Sequence, residues 1–202
     1  MSSAKIIAVI GAPRSGKTFL VNKLASGLGY TPFLEGQNDT FPDFIKSDIQ
    51  TNENSLRRIL WFRNKEITHF LEAQELRRAG KGAVLDTFFA DNQMYLDVLL
   101  SGHDRDVAYE MMQLDLRNLA WPDVVIYLKN NESRTKEFLK LGGRDFDAHE
   151  DYFDSYIVPL QAKYEKILTM VPSTSKLIIV DRSEMDFDTE EDLGLLLNQI
   201  NQ

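Results

Sequence analysis

Gly11, Gly16, Lys17 and Thr18 are spaced for one kind of chemistry. They lie in Lys5–Thr18, KIIAVIGAPRSGKT, and form the pattern G-x-x-x-x-G-K-T. Glycines at these two places let backbone N–H groups turn onto a polyphosphate with no Cβ in the way. The lysine adds a point charge for the β and γ oxygens, and the threonine offers its hydroxyl to Mg²⁺. Gly11, Ala12, Pro13, Arg14, Ser15, Gly16, Lys17 and Thr18 together read as the cradle for a nucleoside triphosphate. Two acids, Glu35 and Asp86, each follow a short apolar run, and carboxylates there could take up a proton or help hold a metal ion.

These residues need a scaffold. An apolar strand, Lys5–Ile10, leads into the loop, and a helix over about 17–28 leaves it, with Phe19, Leu20, Leu24 and Leu28 as its inward stripe. The positive end of that helix faces the same phosphates. Further strands are expected at 32–35, 83–85, 124–128 and 177–180. Helices are expected over 55–78, within 88–102, and over 104–119, 131–141, 144–170 and 189–199. Pro159 is expected to kink the helix it falls in. The polar, turn-rich stretch 36–54 reads as a loop with at most a short helix. Five short apolar strands alternating with helices imply an α/β fold, a parallel sheet between two helical layers. Ligands then gather at the carboxyl ends of the strands, where the phosphate loop, Glu35 and Asp86 all fall.

Composition narrows the function further. A chain of 202 residues with 43% hydrophobic and 27% charged residues is expected to form one domain, 1–202. A net charge of −8 argues against broad nucleic-acid binding, which needs a basic footprint. The absence of cysteine excludes disulfides, thiolate catalysis and cysteine-zinc sites. His69, His103 and His149 lie too far apart in sequence for metal-ligand spacing. The first apolar run is too short for a signal peptide or a membrane span, so a cytoplasmic location with no membrane partner is expected.

Taken in order, several segments resemble the deoxynucleoside kinase family of P-loop enzymes. LGYTPFLE resembles that family's second strand and its catalytic glutamate, and AGKGAVLDT its third strand and D/E-R-S motif. WPDVVIYL resembles the fourth strand, GGRDFD the arginine-bearing lid, DYFDSYIVPLQAKYEKIL the helix after it, and KLIIVD the fifth strand. The resemblance implies a three-layer P-loop fold with a small lid at about 138–147. It also implies transfer of the ATP γ-phosphoryl group, with Mg²⁺, to the 5′-hydroxyl of a deoxynucleoside or related small molecule. Glu35 would be the base, Asp86 would assist Thr18 with the metal, and Arg144 would close over the phosphates. Asn92 falls where the family places a base-contacting acid, and Asp147 where an acid meets the sugar 3′-hydroxyl. A homodimer through helices at 92–119 is implied as well.

Departures from the family keep alternatives open. Thr87 replaces the arginine of the D/E-R-S motif, and Gly142 and Phe138 replace lid arginines. No glutamine stands near Ile59 to read a base. The literal Asp181-Arg182-Ser183 follows the fifth strand, where it would border the adenine of ATP. Arg14 and Arg63 are the nearest substitutes for the lost charge, and Ile59, Trp61 or Phe62, with one of Phe88 and Phe89, are expected to line the acceptor pocket. A nucleotide-binding protein with little catalysis, or a kinase acting on a nucleoside monophosphate, are the alternatives. The lack of an N/T-K-x-D motif argues against a GTPase.

Overall fold

The alternation of the strand sequences dictates how the molecule is layered. In the computed structural model, which describes residues 4–36, 41–141 and 157–202, β1 (Ile6–Ile10) is buried at every position. Ile6, Ala8 and Ile10 point into one hydrophobic layer, and Ile7 and Val9 into the opposite one. A strand covered on both faces has no position at which a polar residue could meet water, which is why the run is apolar throughout.

The other elements follow in order: α1 (Lys17–Leu28), β2 (Thr31–Phe33), α2 (Asp43–Thr51), α3 (Ser55–Arg78) and β3 (Ala83–Asp86). After a short 3₁₀ turn at Phe89–Asp91 come α4 (Asn92–Leu99), α5 (Gly102–Asn118), β4 (Val124–Lys129), α6 (Glu132–Leu141), α7 (Val158–Leu168), β5 (Lys176–Asp181) and α8 (Glu190–Asn201). The five strands form one parallel sheet in the order β2-β3-β1-β4-β5. Leu20, Val21 and Leu24 of α1 and Leu196 and Ile200 of α8 cover one face. Phe70 and Ala73 of α3, Met94 of α4, and Leu160, Tyr164 and Ile167 of α7 cover the other. The expected α/β architecture is therefore the observed one.

The chain leaves β1 towards β2 and β3 and later crosses to β4 on the opposite side, so β1 lies at the point where strand order reverses. Ligand crevices form at such points, outside the carboxyl ends of the strands. The register places Asp86 beside Val9, directly before the phosphate loop.

One stretch differs from the sequence expectation. Within 36–54 lies a nine-residue helix, α2. Phe41 and Ile45 are buried, which gives this polar segment an apolar anchor. Asn52 and Asn54, both at positive φ, turn the chain sharply from α2 into α3, and asparagine tolerates that conformation better than most side chains. Asp48 locks the turn, accepting from Asn54 Nδ2 at 2.9 Å, Arg57 Nε at 2.8 Å and Arg57 Nη2 at 2.6 Å. The Arg57 guanidinium holds the Asp48 carboxyl below its ordinary range. Pro159 is the second residue of α7 as described, and whether the chain kinks there depends on residues outside the described ones. The expected start of that helix at Arg144 lies outside the described residues.

Candidate active site

The phosphate loop is built from backbone conformations that few residues adopt. Gly11 has φ 154°, and a Cβ there would come within 2.8 Å of the Leu128 carbonyl and 2.7 Å of Ser15 Oγ. Gly16, at φ 89°, is the N-cap of α1. Arg14 holds φ 65° without being glycine, a strain that surrounding structure must sustain. Lys17 Nζ donates to the carbonyls of Gly11 at 2.8 Å and Ala12 at 3.2 Å, folding its ammonium back over the loop. Thr18 Oγ1 donates to Asp86 Oδ2 at 2.5 Å. The other Asp86 oxygen, Oδ1, is buried with no protein partner. A hydroxyl and a carboxylate joined in this way, with one carboxylate oxygen unengaged, fit the oxygen ligands of Mg²⁺.

The loop opens into a cavity of about 1110 Å³. On the β2–β3 side it is lined by Glu35, Asp86 and Glu66, the last from α3, with Arg58, Ile59 and Phe62 on the same helix face. Asp91 lies buried behind them. These four carboxylates and Lys17 are within electrostatic reach of one another. Burial pushes the Asp86 carboxyl up to about 6, with Glu35 adding to the rise and Lys17 opposing it. Burial likewise raises Asp91 to about 6, against the pull of Lys17 and of hydrogen bonds from Thr87 and Tyr164. Glu66 is raised well above the carboxylate range by burial first, then by Asp91 and Glu35.

On the β4–β5 side the lining carries both signs, with Glu137, Asp186 and Asp188 beside two arginines. Arg134 and Phe138 of α6 and Arg182 after β5 face the cavity. The Arg182 guanidinium lies 5.5 Å from the Phe138 ring centroid and 4.4 Å from that of Phe187, and Arg134 lies 4.8 Å from Phe138. Arg182 Nη1 donates to the Met185 carbonyl, whereas Arg182 Nε and Arg134 Nε are buried without partners. Burial lowers the Arg182 pKa from its ordinary value. Buried polar groups normally find partners. Here residues with unpartnered atoms, Arg58, Asp86, Arg134 and Arg182, surround one cavity.

The AAA domain model matches residues 6–140, about two thirds of the chain, including the phosphate loop and four of the five strands. The chain belongs to the AAA domain family. Over 207 aligned residues this AAA-domain chain is 26% identical to a deoxyguanosine kinase of Dictyostelium discoideum, covering 98% of this chain and 69% of that protein. The fold is shared with a deoxyadenosine kinase of M. mycoides. The structure with bound dATP superposes with a TM-score of 0.76 at 16% identity over 98% of this chain and 100% of the other. The structure with dCMP and dCDP gives 0.72 at 18% identity, over 97% and 98%.

The AAA-domain fold gathers some expected site residues and disperses others. Lys17, Thr18, Glu35, Asp86, Asn92 and Arg14 all line the cavity. Phe88 and Phe89 do not: both are 1% exposed and pack with Phe70 in the core, Phe88 also against Trp121. The backbone turn at Thr87 sends the next two side chains under the sheet. Arg63 is not a substitute arginine for the site either. Its Nε and Nη2 both bind Asp115 at 2.5 Å, tying α3 to α5. Arg134 and Arg182 supply the positive charge instead. Arg144 and Asp147 lie outside the described residues.

Three charged side chains at or behind the cavity escape sequence reasoning: Glu66, Asp91 and Arg58. Nothing local marks Glu66, which lies mid-helix among other charges. Asp91 is 2% exposed and accepts from Thr87 Oγ1 at 2.9 Å and the buried Tyr164 hydroxyl at 3.0 Å. Thr87 itself sits at φ 74°, an outlier for a β-branched residue. Where the related family carries an arginine, this chain thus has a strained threonine tethered to a buried acid. Among the described residues no His/Asp/Glu group forms a metal cluster.

Proposed function

We propose that this chain is a nucleoside kinase that transfers the γ-phosphoryl group of ATP to the 5′-hydroxyl of a deoxynucleoside. The observation carrying this is the lining of one cavity: a phosphate loop in the middle, Arg134, Phe138 and Arg182 on the β4–β5 side, and Glu35, Glu66 and Asp86 on the β2–β3 side. A triphosphate suits the phosphate loop, where Lys17 stands and the two arginines lie on the β4–β5 side. A neutral acceptor suits the β2–β3 side, because an acceptor already bearing a phosphate would meet Glu35, Glu66 and Asp86 at close range. Likeness to deoxyguanosine and deoxyadenosine kinases points the same way.

In the reaction, Glu35 takes the proton of the 5′-hydroxyl as that oxygen bonds to the γ-phosphorus. The bond from γ-phosphorus to the β-bridging oxygen breaks, and ADP leaves. Lys17 and the loop N–H groups offset the charge on the moving group, and Arg144 is assigned the same work from the lid at 138–147. Thr18 and Asp86 would hold Mg²⁺, which would neutralise the β and γ oxygens. Asn92 is assigned to the base and Asp147 to the sugar. The chain is proposed to work as one domain in the cytoplasm, as a homodimer through 92–119; no described helix is long and apolar enough to cross a membrane.

Transfer of labelled phosphate from MgATP, across a panel of deoxynucleosides and deoxynucleoside monophosphates, tests the proposal. Deoxynucleosides should be labelled and monophosphates should not. A chain that binds MgATP but labels neither class is a nucleotide-binding module instead.

A further inference from the structure

Arg58 is the most unusual side chain in the acceptor half. It is 5% exposed, yet it lines the cavity, on the first turn of α3. Its Nη1 donates at 3.3 Å to the backbone carbonyl of Asp48, and its Nη2 is buried with no hydrogen-bond partner. The nearest carboxylate, that of Asp48, is already engaged by Arg57 and Asn54. A permanently charged side chain that lines a cavity and holds a buried, unpartnered nitrogen is poised for an acceptor on a ligand.

Position narrows the ligand. Eight residues separate Arg58 from Glu66, two turns or about 12 Å along α3. Glu66 interacts with Lys17 and Glu35 and so marks the inner, reacting end. Arg58 is therefore at the outer end, where an acceptor with its 5′-hydroxyl at Glu35 would place its base. Between them the wall is Ile59 and Phe62, apolar surface suited to a flat ring. The acceptors available to a guanidinium fork differ among bases. A 6-oxopurine presents O6 and N7 side by side, which a fork can engage with two bonds, whereas adenine places an amino donor beside N7. Glu66 Oε2 accepts from Asn92 Nδ2.

Resting on the kinase function above, we propose that the acceptor is a 6-oxopurine deoxynucleoside and that Arg58 reads its O6 and N7 atoms. Ile59 occupies the position where sequence comparison sought a base-reading side chain; the polar contact comes from the residue before it.

The test pairs a change in the protein with a change in the ligand. Binding by calorimetry and kcat/KM from MgATP are measured for deoxyguanosine, 7-deazadeoxyguanosine, deoxyadenosine and deoxycytidine. Each is run with the natural chain, Arg58→Met and Arg58→Lys. The natural chain should prefer deoxyguanosine to deoxyadenosine and to the 7-deaza compound by about 10–100-fold, the discrimination of one good forked contact. Arg58→Met should level those ratios, and Arg58→Lys should restore only part of them. The 7-deaza comparison needs no mutant and so is immune to a folding defect. Equal or better use of deoxyadenosine or deoxycytidine by the natural chain overturns the inference and leaves the kinase function standing. So does a deoxyguanosine preference that Arg58→Met leaves unchanged. Arg58-dependent binding of deoxyguanosine without phosphate transfer supports the inference and overturns the kinase function. No binding and no transfer for any of the four overturns both.

Discussion

The two ends of the cavity are made in opposite ways. The donor end grows from one contiguous segment, Gly11–Thr18, whose backbone conformations are set by its own glycines, with Arg134, Phe138 and Arg182 added from the β4 and β5 side. The acceptor end has no such segment. Glu35 follows β2, Arg58 and Glu66 come from α3, Asp86 ends β3, and Asp91 and Asn92 follow it. Lys17 stands between the two ends, within electrostatic reach of Glu66, Asp86 and Asp91. The contrast teaches that a local backbone motif can fix the place of one substrate, whereas the place of the other depends on side chains gathered from separate elements.

The largest expected effect separates chemistry from binding. Glu35→Gln should lower kcat by about 10²–10⁴-fold, because an amide cannot take the hydroxyl proton, while MgATP affinity by calorimetry stays nearly constant. Lys17→Ala should do the reverse in kind, weakening MgATP about 100-fold through loss of charge-assisted bonds. If Glu35→Gln and Lys17→Ala alter the same quantity, the division of the cavity is wrong.

The next effect probes the cost of the acidic end. The folded-state carboxyl of Asp91 titrates at about 6, above its ordinary 3.8. Its proton therefore favours the folded state. That contribution is complete below about pH 4 and is lost as pH rises through 6. Asp91→Asn removes the loss. Relative to the natural chain, its stability in urea should improve by about 3 kcal/mol between pH 4 and pH 7. A pH-independent difference between the two proteins would show that Asp91 is not held in that environment.

A smaller effect tests the donor end. Arg182→Ala should weaken ATP binding about tenfold, as expected for one partly buried stacking and hydrogen-bonding guanidinium, and should leave acceptor KM unchanged. The smallest effect on binding should come from Arg63→Ala. Its loss strands Asp115 and should cost roughly 2 kcal/mol of stability by chemical denaturation, yet MgATP affinity should not move, since Arg63 serves α3–α5 packing and not the cavity.

Much of the framework was legible in the residues. The limits of α1 and α3, the five apolar strands and the phosphate loop all follow from local pattern, because strand burial and helix stripes impose periods of 2 and 3.6 on nearby residues. The helix α2 was not legible, since its only apolar anchors are Phe41 and Ile45 and its stop is made by two asparagines. Phe88 and Phe89 were misplaced for a related reason: their distance from Asp86 is short in sequence, but the turn at Thr87 directs them into the core.

The sequence by itself determined the sheet, the phosphate cradle, and the acids at the strand ends. Each rests on backbone conformation or on neighbours a few residues away. Only the tertiary structure decided which charges face the cavity. It set Arg63 on Asp115 and Arg182 over Phe138, and it brought Glu66 and Asp91 beside Lys17 while leaving one nitrogen of Arg58 unpartnered. Charges act through space over several ångströms, so their partners are fixed by which elements pack together, and no local period encodes that.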